Sequence, residues 1–98
     1  MEYLVDMRTT VPAGTPDETV AETRRREAIR AGELAGQGVL RRLWKPPEKP
    51  GEWRTFGLFA AAGEAELRQA LESLPLHKWM TVEVTPFAPH PSDPGLGR

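Results

Sequence analysis

TPDETVAETRRREAIRAGELAGQGVLRRLW, residues 15–44, carries the reading of the fold, because hydrophobic periodicity changes from helical to alternating within it. Thr15 stands as a cap, Pro16 at the first helical position and Glu18 three residues after the cap, the pattern of a helix start with a capping box. The helix is expected to stop at Gly36 or Gly38. Val39, Arg41 and Leu43 then alternate with Leu40, Arg42 and Trp44, which predicts a strand.

Working outward, Tyr3, Val5 and Met7 alternate with Leu4, Asp6 and Arg8 as a first strand, broken at Val11-Pro12-Ala13-Gly14. The proline-rich stretch Lys45 to Glu52 cannot lie inside a sheet. Alternation resumes from Trp53 to Ala60. Leu67, Ala70, Leu71 and Leu74 at helical spacing give a second helix closed by Pro75, and Met80, Val82 and Val84 mark a last strand. The order βαββαβ is that of a ferredoxin-like α+β fold, a four-stranded antiparallel sheet with both helices on one face. Residues 1–88 are expected to form this domain, and 89–98 an extended C-terminal arm; Pro86 to Arg98 holds four prolines and two glycines.

Both helices on one face leave the other face bare. With Tyr3, Val5, Met7, Val39, Leu43 and Phe59 under the helices, Leu4, Leu40, Trp44, Phe56 and Leu58 fall on the open side. An apolar patch of that extent predicts sheet-to-sheet pairing into a homodimer.

The chain has 98 residues, enough for one domain with one small core. Thirteen basic and 14 acidic side chains leave a net charge of −1, which supports no nucleic-acid footprint and no docking on an anionic membrane. Without cysteine, thiol nucleophiles, disulfides and cysteine–metal centres are excluded. His77 and His90 are the only histidines and neither has a second metal ligand nearby in sequence, so a zinc site is not expected. No leader-like or membrane-spanning run is present, and the chain reads as cytoplasmic.

At about 100° per residue, Val20, Arg24, Glu27, Ala28, Ala31, Leu34 and Ala35 gather on one side of the first helix. A carboxylate on that stripe must be paired, protonated or used, since removing it from water costs several kcal/mol or raises its pKa, unless the helix is rotated slightly and Glu27 lies at its boundary. The alternation that buries Val39 and Leu43 aims Arg41 at the same region. A cavity lined by Tyr3, Arg24, Glu27, Arg41 and Thr55, with Trp53 as an aromatic wall, follows. Glu27 and Arg41 then form either a structural ion pair or a proton-transfer site, in which Glu27 moves a proton beside a conjugated carbonyl and Arg41 holds an anion or an enolate. His90, in the arm, is within reach of a neighbouring chain's pocket.

With these elements placed, the chain resembles the muconolactone delta-isomerase family over nearly its full length. The resemblance is carried by Tyr3-Leu4-Val5-Asp6-Met7, Glu27, Gly38 to Trp44, Leu74-Pro75-Leu76, Trp79-Met80, Val82-Glu83-Val84 and His90-Pro91-Ser92. It implies a dimeric α+β barrel protomer, often in a larger ring such as a decamer, with pockets completed by neighbouring chains. It also implies cofactor-free isomerisation of an unsaturated lactone bearing a carboxymethyl group, in aromatic catabolism. Mapped here, Glu27 is the catalytic base and Arg41 the catalytic cation. Arg24 and Tyr3 position the substrate, and Trp44 and Trp53 wall the pocket. Arg42 stands where the family has histidine and Thr55 where it has asparagine, and the loop after Trp44 is unusually rich in proline. Two other functions share this topology: a cofactor-free monooxygenase or cyclase, and a non-catalytic module that binds a small acid.

Overall fold

Tyr3, Val5 and Met7 are buried along the first strand while Leu4, Asp6 and Arg8 are not, in a computed structural model that describes residues 1–95. The elements run β1 (Glu2–Thr9), α1 (Asp17–Gly36), β2 (Leu40–Trp44), β3 (Arg54–Ala60), α2 (Glu64–Glu72), a short 3₁₀ helix (Pro75–Trp79) and β4 (Met80–Phe87). The sheet order is β2-β3-β1-β4, with every neighbouring pair antiparallel. This is the ferredoxin-like arrangement expected from the alternation. The segment expected as an arm begins just after β4, and its last three residues lie outside those described.

The first helix starts differently from its capping-box reading. Pro16 is the cap, no side chain caps the helix, and the Thr15 hydroxyl instead donates to the Pro12 carbonyl at 2.7 Å. The helix begins one residue later than that pattern has it, so Thr15 lies outside the cap and its hydroxyl closes the preceding turn. The other end is firmly fixed. Gly38 takes φ +78°, and its N–H and that of Val39 donate to the Ala35 and Leu34 carbonyls at 3.0 and 2.9 Å. Only a residue tolerant of positive φ permits this double closure, so Gly38 sets where the chain turns into β2.

A β-bulge in β2 corrects the expected facing of that strand. Leu40 pairs with Phe59, but Arg42 pairs with Leu58, so Arg41 is the extra residue. Leu40 and Leu43 therefore both face the helices, three residues apart. Leu40 is buried in the core, not placed on the open face as simple alternation has it, and Arg41 is exposed. Leu43 faces inward but stays half-exposed at the rim of a cavity.

The core is Tyr3, Val5, Leu34 and Phe59, each at most 1 % exposed, with Leu67, Leu71, Leu74 and Leu76 around them. Each such side chain contributes roughly 1.5–3 kcal/mol on burial. The buried side of α1 is centred on Thr23 and Leu34, with Val20, Glu27 and Ala31 partly covered. The helix is thus rotated from the expected stripe, and Ala35 is exposed. Thr23 is tolerated there because its hydroxyl donates to the Thr19 carbonyl at 2.7 Å.

The face of the sheet away from the helices carries Leu4, Phe56, Leu58 and Trp44, and with them one strong ion pair. Arg54 donates from Nε and Nη2 to the two Asp6 oxygens at 3.0 and 2.7 Å, and Arg8 lies 3.5 Å from the same carboxylate. The Arg54 hydrogen bonds hold the Asp6 carboxyl below its ordinary pKa. A lowered folded-state pKa stabilises the fold above the unfolded value and is lost as pH falls through the folded one. Asp6→Asn is therefore expected to melt at lower temperature than wild type at pH 7, with the gap closing below about pH 4. Paired thermal melts across that range check it.

Candidate active site

Between α1 and the sheet, and floored by β1 and β3, lies a cavity of about 250 Å³. Its walls are mostly apolar, from Met7, Leu40, Phe59, Leu74 and Met80, into which Thr9, Arg24, Glu27 and Thr55 bring polar groups. A shallower space of about 510 Å³ adjoins it, lined by Trp44, Lys45, Glu48 and Glu52 and sharing Arg24, Leu43, Trp53 and Thr55 with the inner one. Of the residues expected at the site, Arg24, Glu27, Trp53 and Thr55 are thus brought together, and Trp44 stands at the outer margin.

Glu27 reaches the cavity from the middle of α1, half-buried. Its Oε1 accepts the backbone N–H of Leu76 at 2.9 Å, at the start of the 3₁₀ helix. Among the described residues it makes no ion pair, so the Glu27–Arg41 pair does not form. Burial pushes its carboxyl pKa up, opposed in part by the Leu76 N–H and by the neighbouring His77. A carboxylate made more basic by an apolar wall and anchored through one oxygen is suited to taking up and returning a proton.

Arg24, one turn earlier on the helix, stacks its guanidinium over the Trp53 ring at 4.7 Å. It too has no ion-pair partner among the described residues. It therefore takes the cationic place at the cavity that the sequence assigned to Arg41.

Three expected residues lie elsewhere. Arg41 is exposed on the bulge and does not line the cavity, because the extra residue turns it off the covered face. Tyr3 is 1 % exposed and packs in the core beyond the cavity wall. His90 sits in the exposed tail, where its Nδ1 accepts the Ser92 N–H at 2.9 Å. Sequence reasoning missed Thr9 and Leu76 as residues of the site. Thr9 has the same strand parity as Met7 and was open to discovery; the Leu76 N–H, a backbone group in an irregular turn, had no signal.

Four antiparallel strands backed by two helices, with one anchored carboxylate and one cation at an apolar cavity, define a ferredoxin-like α+β protein equipped to hold a small organic molecule. Comparison with known proteins gives the particular family. A profile described as muconolactone delta-isomerase matches residues 1–93. The muconolactone delta-isomerase of Cupriavidus pinatubonensis is 33% identical over 92 residues, covering 94% of this chain and 97% of that protein. Muconolactone delta-isomerase 1 of Acinetobacter lwoffii is also 33% identical over 92 residues, with 94% and 93% covered. A crystal structure of muconolactone isomerase superposes with a TM-score of 0.83 at 26% identity, over 94% of this chain and 93% of that one. The chain belongs to the muconolactone delta-isomerase family, a family of isomerases.

Proposed function

We propose that the chain isomerises muconolactone, or a close relative with the same unsaturated lactone and carboxymethyl arm, by a proton shift carried by Glu27. The observation that carries this reading is the anchored carboxylate in an apolar cavity, its Oε1 tied to Leu76 and its pKa raised by burial. The free Glu27 oxygen removes the proton from the γ-carbon. The C–H electron pair becomes the new ring double bond, and the former double-bond pair moves through the conjugated system onto the carbonyl oxygen as a dienolate. Glu27, now protonated, returns the proton to the α-carbon and the carbonyl reforms. One carboxyl reaches both carbons because they are next-but-one neighbours in a small ring.

Arg24 receives the carboxylate of the carboxymethyl arm, and the Thr9 and Thr55 hydroxyls are the side-chain donors available to the developing oxyanion. Arg41 is not assigned to this protomer's cavity. The Leu4, Phe56 and Leu58 side chains on the uncovered sheet face, half-buried within one chain, support a homodimer paired through that face. No helix among the described residues is long and apolar enough to cross a membrane.

NMR of muconolactone in deuterated buffer tests the reading. A double-bond shift is the expected result, with deuterium entering the α-carbon only in the fraction of turnovers in which the Glu27 proton exchanges with solvent before it is returned. No shift and no exchange by folded protein rejects muconolactone; oxygen uptake with an electron-rich aromatic substrate would instead bring in the monooxygenase reading.

A further inference from the structure

Arg24 and Trp53 stand where the inner and outer cavities meet, and both residues line both spaces. From this geometry we infer that Trp53 is a positioning residue: its indole face holds the Arg24 guanidinium at the junction, and the pair selects lactones that carry a carboxylate over neutral ones. The inference rests on the lactone reading of the cavity.

Three observations bear on it. The guanidinium lies 4.7 Å from the ring centroid, within cation–π range. Arginine on a helix surface has many rotamers, and a flat aromatic partner restricts them without using any of its five N–H donors. Those donors are not taken by a carboxylate among the described residues, whereas the outer cavity's acids are otherwise engaged: Glu48 accepts the backbone N–H of Arg54 and Glu52 the backbone N–H of Lys49, each at 3.4 Å. A charged head held by stacking, with its hydrogen-bonding edge unused, is prepared for a planar anion. The inner cavity beyond it is largely apolar and suits an uncharged ring. A ligand with its ring inward and its carboxylate at the junction satisfies both.

The test is calorimetric titration with the saturated carboxymethyl lactone, which cannot isomerise, and with its methyl ester. Wild type should prefer the acid by roughly tenfold or more. Trp53→Leu should cut that preference by roughly three- to tenfold while Trp53→Phe, which keeps a ring face, retains most of it. Trp53→Met, with bulk but no π face, gives the same answer as leucine should the smaller side chain unfold the loop. Arg24→Gln should abolish the preference. Equal binding of acid and ester by wild type, or a full preference in Trp53→Leu, overturns the inference. A loss shared equally by acid and ester in Trp53→Leu means a structural wall only and overturns it as well. Because this probe does not turn over, an intact preference beside inert muconolactone would sink the proton-shift reading alone, and turnover without preference would sink this inference alone.

Discussion

Glu27→Gln is expected to lose isomerisation by about 10²- to 10⁴-fold, the usual share of a positioned general base, without losing stability. The amide oxygen still accepts the Leu76 N–H, so the side chain keeps its place at the cavity. What changes is charge. The carboxyl pKa in the folded chain is raised by burial, so the folded state binds its proton more tightly than the unfolded state does. From the ordinary glutamate value near 4.3 up to the raised folded value, wild-type stability therefore falls with rising pH, and above both the cost is fully present. The neutral glutamine escapes it. Wild type and variant should melt alike below about pH 4, and the variant should match or exceed wild type at pH 7. Melts at both pH values, beside a turnover assay, separate a residue kept for chemistry from one kept for structure; a variant that is both active and less stable fits neither part of the account.

Gly57 should tolerate almost nothing. It sits in β3 between Val5 and Leu43, and a Cβ there would lie 2.7 Å from Phe59 Cε1, 3.1 Å from Met7 Cε and 3.4 Å from Leu43 Cδ2. All three of those side chains line the inner cavity. The Phe59 ring is 1 % exposed and has little room to yield except toward that space. Overpacking of this kind costs about 1–3 kcal/mol, against a gain of about 0.5–1 kcal/mol from removing glycine's backbone freedom, so Gly57→Ala should be destabilising on balance. Gly57→Val should be worse. Where the protein still folds, Phe59 and Met7 shift into the cavity, and KM should rise more than kcat falls. Denaturant unfolding together with steady-state kinetics measures both effects; an unchanged KM in a destabilised Gly57→Ala would show that the cavity floor had not moved.

Much of this arrangement was legible in the sequence, for identifiable reasons. Strand parity on β1, helical spacing from Val20 to Leu34 and a glycine stop at Gly36 or Gly38 each record a local requirement, and together they gave the element order and put Glu27 on the side of the helix that meets the cavity. Arg24, Trp53 and Thr55 followed from the same periodicities. Arg41 failed because a β-bulge leaves no mark in the residue pattern: one extra residue in β2 reversed Leu40 and Arg41 while leaving Leu43 correct. Thr15 failed because a hydroxyl that satisfies the pattern of a cap also satisfies a turn: the helix starts after Pro16, and Thr15 falls in the turn from Pro12. The anchor of Glu27 is a backbone N–H in a 3₁₀ turn between α2 and β4, and no side-chain pattern encodes that. Gly57 carried a readable signal, a glycine inside an alternating strand, which marks a close approach by other groups.

Muconolactone deuterated at the γ-carbon, turned over in ordinary water by wild type and by Glu27→Gln, tests whether one carboxylate carries a proton between two carbons of the lactone. A primary isotope effect on the wild-type rate, some of the label recovered at the α-carbon and a folded but inactive variant are the predicted result. A folded Glu27→Gln that isomerises at the wild-type rate would contradict the account.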